Sequence, residues 1–254
     1  MVQRFRSGLH ARSAAMLFSL ETRFDRILQC WMLVAGLACV LRIGFAPTGQ
    51  PGLALIAPYL LIVAAPVASA LLALRWFAHG DSMSRTAPLL SWPRMRAVSL
   101  AEARQHPLFG TNGIMVSLLV GILLNVPVRA AEYLASNPPI PSGVPEWLST
   151  LHFLMSFDVV LFSSLYAIVF VAGLRRAPSF PVMLMGLWIA DLAMQLVMAV
   201  ALGGARDLPP GVAFALHGLL EGNVKKTLIS VGIWLPYLLL STRVAVTFRH
   251  RVPG

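Results

Sequence analysis

Charge is scarce in this sequence. Only 12% of its 254 residues are Asp, Glu, Lys or Arg, well below the roughly 25% of an average soluble domain. With 57% of residues hydrophobic and a mean hydropathy of +0.76, that scarcity excludes a disordered chain, a fibrous protein and an ordinary soluble enzyme. It indicates an integral membrane protein. Cysteine is scarcer still, with Cys30 and Cys39 alone. Both fall in the first apolar run on one expected helix, too far apart to bond, so no disulfide framework is expected. Catalytic signatures are missing too. No phosphate loop, dinucleotide fingerprint, HExxH helix or GxSxG elbow occurs. The apolar runs hold no lysine for a Schiff base and no histidine pair for haem, so no cofactor is expected.

What is present is a series of apolar runs, each near the roughly 20 residues that a crossing needs. They are Ile27–Ala46, Leu53–Leu74 with Pro58 and Pro66, Leu108–Val128, Thr150–Leu174, Phe180–Leu202 and Thr227–Val246. The fold class expected is therefore all-α, a polytopic bundle of six spans. Residues 211–224, after Pro209-Pro210, read as an interfacial helix or the approach to the last span. Residues 1–26 carry Arg4, Arg6, Arg12, Arg23 and Arg26, and their apolar stretch is too short for a signal-peptide core. They divide off as a basic segment, with 11–26 expected as a surface-lying amphipathic helix. An N-terminal hairpin (27–74), a loop (75–106) and a four-span unit (107–254) follow. In the loop, Ser99 and Glu102 have capping-box spacing, which predicts a short helix before Pro107.

The net charge is +10. Most basic residues fall on one side of a six-span arrangement: the N-terminus, the 75–106 loop with Arg85, Arg94 and Arg96, the Arg175-Arg176 turn and the tail from Arg243. Arg42, Arg129, Arg206, Lys225 and Lys226 fall on the other. This asymmetry predicts both termini in the cytoplasm and anionic lipid as the partner of the basic side. Without a basic stripe interleaved with aromatics, nucleic acid is not expected as a partner.

Asp158 and Asp191 are the most informative residues. A carboxylate in the hydrocarbon region is costly unless paired, hydrated or protonated. Asp158 lies roughly 12 Å from the outer end of the fourth span and Asp191 roughly 16 Å from the outer end of the fifth, so the two can face each other and share a proton. Gln195 lies one turn outward from Asp191 on the same face. The plainer alternative is that each acid is neutral or bonded to Ser156, Ser163, Ser164, Gln195 or Trp188. Asn125 reads as interhelical glue. His217 and Glu221, at i and i+4, with His152 and Glu132 in neighbouring segments, form a weak candidate metal cluster on the outer side.

The last span reads IWLPYLLLSTRVAVTF, carrying Trp234, Pro236, Tyr237, Ser241, Arg243, Thr247 and Phe248. Ser179-Phe180-Pro181 opens the fifth span, and Phe109-Gly110 with Gly113 opens the third. In these motifs residues 105–250 resemble a bacterial membrane family of unknown function, domain-of-unknown-function family 2569. The resemblance implies a four-span helical membrane domain and no particular activity; residues 1–104 exceed its usual layout. Independently of it, Pro236 predicts a bend near Gly232 with Trp234 and Tyr237 packed beside it. Arg243 is expected at the membrane boundary, on a phosphate or a last-turn carbonyl.

The sequence thus favours a bacterial inner-membrane protein that acts as a structural or accessory subunit of another membrane protein. Small residues in the spans, Ala35 and Gly36, Gly186 and Ala190, are the motive. A proton-linked transporter using Asp158 and Asp191 comes second. A lipid-modifying enzyme using His152, His217 and Glu221 comes third.

Overall fold

The computed structural model describes residues 13, 15–45, 53–83, 95–137, 139–141, 143–205 and 208–253. Arg4, Arg6, Arg12, Ala46, Arg85, Arg94 and Arg206, which figure above, lie outside the described residues.

The fold is all-α. A short helix α1 (residues 15–22) leads into α2 (Phe24–Gly44) and α3 (Leu53–Trp76). A 3₁₀ turn (Gly80–Ser82), β1 (Met95–Ala97) and α4 (Leu100–Gln105) follow. Then come α5 (Ile114–Ser136), α6 (Glu146–Leu174), α7 (Phe180–Gly203), α8 (Pro210–Leu240), α9 (Thr242–Arg249) and β2 (Arg251–Pro253). Five helices, α2, α3, α5, α6 and α7, are long and apolar enough to cross a membrane. Joined with α9 across a 70° bend, α8 makes a sixth.

Several boundaries differ from those the apolar runs suggest. α5 starts at Ile114, because residues 108–113 form a turn in which Gly110 and Gly113 take φ of 103° and 73°. It then runs past Pro127 and Arg129 to Ser136. Hydropathy ends the span at Val128, but packing carries the helix on, and Ala130 and Tyr133 are buried. α3 is unbroken through Pro58 and Pro66, as spans allow when neighbours cover the freed backbone groups. Residues 211–224 are the opening turns of α8 itself. The expected bend at Pro236 is not the sharp one. α8 continues to Leu240 and the chain turns at Ser241, so Arg243–Val246 falls in α9, beyond the bend.

α6 is the axis of the bundle. Of its apolar stretch, 61% is buried, against 11% for peripheral α2. One hydrophobic core joins Phe24 of α2, Ala70 and Ala73 of α3, Leu119 of α5, Phe170 of α6, Leu184 of α7 and Leu238 of α8. The N-terminal hairpin thus shares the core of the four later spans. α1 is drawn into it as well. Leu20 is buried and Leu17 packs beside it, so the described part of this segment rests on the bundle.

One end of the bundle carries a cap. β1 pairs antiparallel with β2, Met95 opposite Pro253 and Ala97 opposite Arg251, and Val98, Ala103, Val246 and Val252 form a small core beneath them. As the spacing predicts, the Ser99 hydroxyl accepts the Glu102 N–H at 3.2 Å and starts α4. The Glu102 carboxylate pairs with Arg96 at 2.6 Å. The Gly113 N–H donates to the Ser13 hydroxyl at 3.1 Å. Both described ends of the chain therefore lie at this cap, as an even number of crossings requires.

Candidate functional site

The two intramembrane acids meet, but through a third residue. Asp191 sits near the middle of α7, about 17 Å from either end, and its side chain is 2% exposed. Asp158 projects from α6. Between them lies Arg129 of α5. Its guanidinium donates through Nη1 to Asp158 at 2.8 Å and through Nη2 to Asp191 at 2.5 Å. The planar fork of arginine suits this double engagement. Phe162 and Tyr166 flank the cation, their ring centres 4.8 and 5.7 Å from its central carbon. The shared-proton reading is therefore corrected: each carboxylate takes its own N–H of one guanidinium. With all three groups ionised, the cluster holds one surplus negative charge.

The two acids are not equivalent. Asp191 also accepts the Tyr166 hydroxyl at 3.2 Å and the Gln195 amide at 3.5 Å. Gln195 in turn accepts the Asn223 amide of α8 at 3.3 Å. The network spans α5, α6, α7 and α8. On Asp158, Arg129 is the only donor, and Oδ1 is buried without a hydrogen-bond partner among the described residues. The Nε of Arg129 is likewise unpartnered.

A cavity of about 430 Å³ reaches this cluster. Arg129, Asp158 and Asp191 line it, with Asn223, Thr227 and Ser230 contributed by α8. Glu132 and Lys226, both well exposed, form an ion pair from α5 to α8 at its rim. The cluster is thus buried at the cavity floor, and the ion pair is exposed at the rim.

Arg129 was missed by sequence reasoning, which put it in the outer loop. The signal was available. Two carboxylates in adjacent spans need a cation, and Arg129 directly follows an apolar run that ends at Val128. Of the other proposed partners of the acids, only Gln195 engages one. The Ser156 hydroxyl meets that of Tyr133 at 2.7 Å, and Ser164 bonds the Val160 carbonyl. Asn125 donates to the Gly121 carbonyl one turn back on its own helix at 3.0 Å. It is not interhelical glue.

The candidate metal cluster does not assemble. Glu221 pairs with Lys225 at 2.6 Å, Glu132 with Lys226, and buried His152 packs edge-on to Tyr133. No group of three His, Cys, Asp or Glu among the described residues could hold a metal ion, His217 included.

The motif residues of the last span converge on the cap. The Thr247 hydroxyl accepts the Gly110 N–H at 3.0 Å, and Arg243 donates to the Gly110 carbonyl at 3.3 Å. Phe248 stacks on Phe180 with ring centres 5.0 Å apart. Three sequence segments, around Gly110, Phe180 and Ser241–Phe248, therefore meet at one point. The carbonyl expected for Arg243 is not one in the last turn of α8. That of Leu238 is taken by Arg249 at 3.1 Å. Trp234 and Tyr237 pack edge to face at 6.1 Å. No family model, curated protein or solved structure matches the chain.

Proposed function

We propose that this membrane protein is a proton-linked carrier of a small cationic solute. One observation carries the reading: Arg129 bridges Asp158 and Asp191 at the floor of an open cavity, and among the described residues one Asp158 carboxylate oxygen is left without a partner. An intramembrane charge cluster at the foot of a cavity is a functional-site candidate by default. Asp191 is held by three donors and keeps the arginine in place. Asp158 is the exchangeable acid: a proton or a solute ammonium group satisfies the same oxygen, and the two compete for it. Asn223, Thr227 and Ser230 supply further polar contacts for a solute.

The test is proton flux in liposomes that hold a pH-sensitive dye, with a panel of small amines added outside. Wild type is expected to move protons with at least one amine, and Asp158→Asn to lower that flux roughly tenfold or more while its melting temperature is kept. Equal traces for wild type and variant across the panel would make the cluster a structural clamp.

A second reading is the accessory subunit in a bacterial inner membrane. Leu33, Val34 and Leu37 on α2 are widely exposed. Among the described residues, nothing lies within 4 Å of a Cβ built on Gly36 or Gly186, so neither packs closely there. Such surfaces suit a second membrane protein as well as lipid. The resemblance of residues 105–250 to domain-of-unknown-function family 2569 is also retained as a proposal. The lipid-enzyme reading loses its motive, since His152, His217 and Glu221 form no common cluster among the described residues.

A further inference from the structure

We propose a second site, independent of the carrier reading: a seat for one phospholipid whose headgroup carries both a phosphate and an ammonium group, as phosphatidylethanolamine does. Two adjoining cavities share one wall, Phe24. The first, about 310 Å³, is a groove between α2, α3 and α5, lined by residues such as Trp31, Val34, Pro66, Val67 and Leu124. Its lining is apolar, and Val34 and Leu124 are 68% and 53% exposed, so it opens sideways to the bilayer. From Phe24 to Val34 it runs about 15 Å along α2, the depth of half a hydrocarbon core of roughly 30 Å. An acyl chain of one leaflet fits that path.

The second cavity, about 300 Å³, lies at the cap end of the same groove and is lined by Glu21, Phe24, Asp25, Asp81, Arg175 and Arg176. It is polar where the groove is apolar, in the order that an amphiphile entering from one leaflet needs. Among the described residues Arg175, Arg176, Glu21 and Asp25 form no salt bridge. Arg176 adopts φ of 57°, where side-chain-bearing residues are uncommon, and among the described residues its buried Nε lacks a hydrogen-bond partner. Asp81 is already committed to Arg104 at 2.7 Å. Burial pushes its carboxyl up, but Arg104 and the nearby Arg176 outweigh that and hold it below the ordinary range. The arginines thus suit a phosphate, and exposed Glu21 and Asp25 suit an ammonium. A purely anionic headgroup would meet these two acids, which form no ion pair among the described residues. Phe24 is fixed between the cavities by stacking on Phe170 at 5.6 Å.

The test is native mass spectrometry of the full chain released from nanodiscs holding equal phosphatidylethanolamine and phosphatidylglycerol. Wild type is expected to retain one phosphatidylethanolamine at about tenfold preference. Glu21→Gln with Asp25→Asn, both exposed, should bring the ratio to parity or reverse it. Arg175→Ala with Arg176→Ala should lose both lipids, and Val34→Trp should lower retention with the ratio unchanged. Equal retention of the two lipids by wild type, or an unmoved ratio in the acid-neutralised variant, would overturn the proposal.

Discussion

Arg129 holds two carboxylates that would otherwise sit unpaired in a span. A buried charge without its partner costs far more than a pair replaced as a unit. Arg129→Met is therefore expected to destabilise the protein by about 3–5 kcal/mol. Arg129→Met combined with Asp158→Asn and Asp191→Asn should recover much of that loss. Denaturation in detergent compares the two, and equal losses would show that the arginine acts mainly through its packing on Phe162 and Tyr166. The acids themselves were legible in the sequence, because charge in an apolar run stands out. Their partner was not, because Arg129 lies where hydropathy falls away and only the continuation of α5 brings it inside.

The last span shows what an element's pattern fails to reveal. Its single proline and its aromatics point to a bend at Pro236, yet the 70° turn comes at Ser241. The reason lies outside the element. α9 is drawn across the cap by Thr247 and Arg243 on Gly110 and by Phe248 on Phe180, contacts between segments more than a hundred residues apart for Gly110. Thr247→Val keeps the shape and leaves the buried Gly110 N–H without its acceptor. A loss of about 1–3 kcal/mol is expected, with faster hydrogen exchange at the Gly110 amide. An unchanged exchange rate would mean that water takes over the bond. The capping box at Ser99 was readable because it is local: donor and acceptor lie within one turn.

Across the whole molecule, the basic cap gathers both described ends of the chain, the Gly80–Ser82 turn and the Arg175-Arg176 turn. A Cβ on Gly80 would come within 2.4 Å of the Arg175 carbonyl, so glycine is what lets these turns close on each other. Ser82 and Ser136 are exposed at opposite ends of the bundle. In a background with Cys30→Ser and Cys39→Ala, a membrane-impermeant maleimide should label Ser82→Cys from the cytoplasmic side and Ser136→Cys from the other. Labelling of both from one face would show that α5 does not cross and would rule out the six-span arrangement.

Apolar content and run length alone determined that this chain is a helical membrane protein. Burial of backbone polar groups in lipid leaves few other solutions, and that constraint acts residue by residue along the sequence. Tertiary structure decided where α5 ends, where α8 turns and which cation joins Asp158 to Asp191. Those outcomes depend on side chains brought together from separate spans, and no local pattern encodes which faces of neighbouring helices will meet.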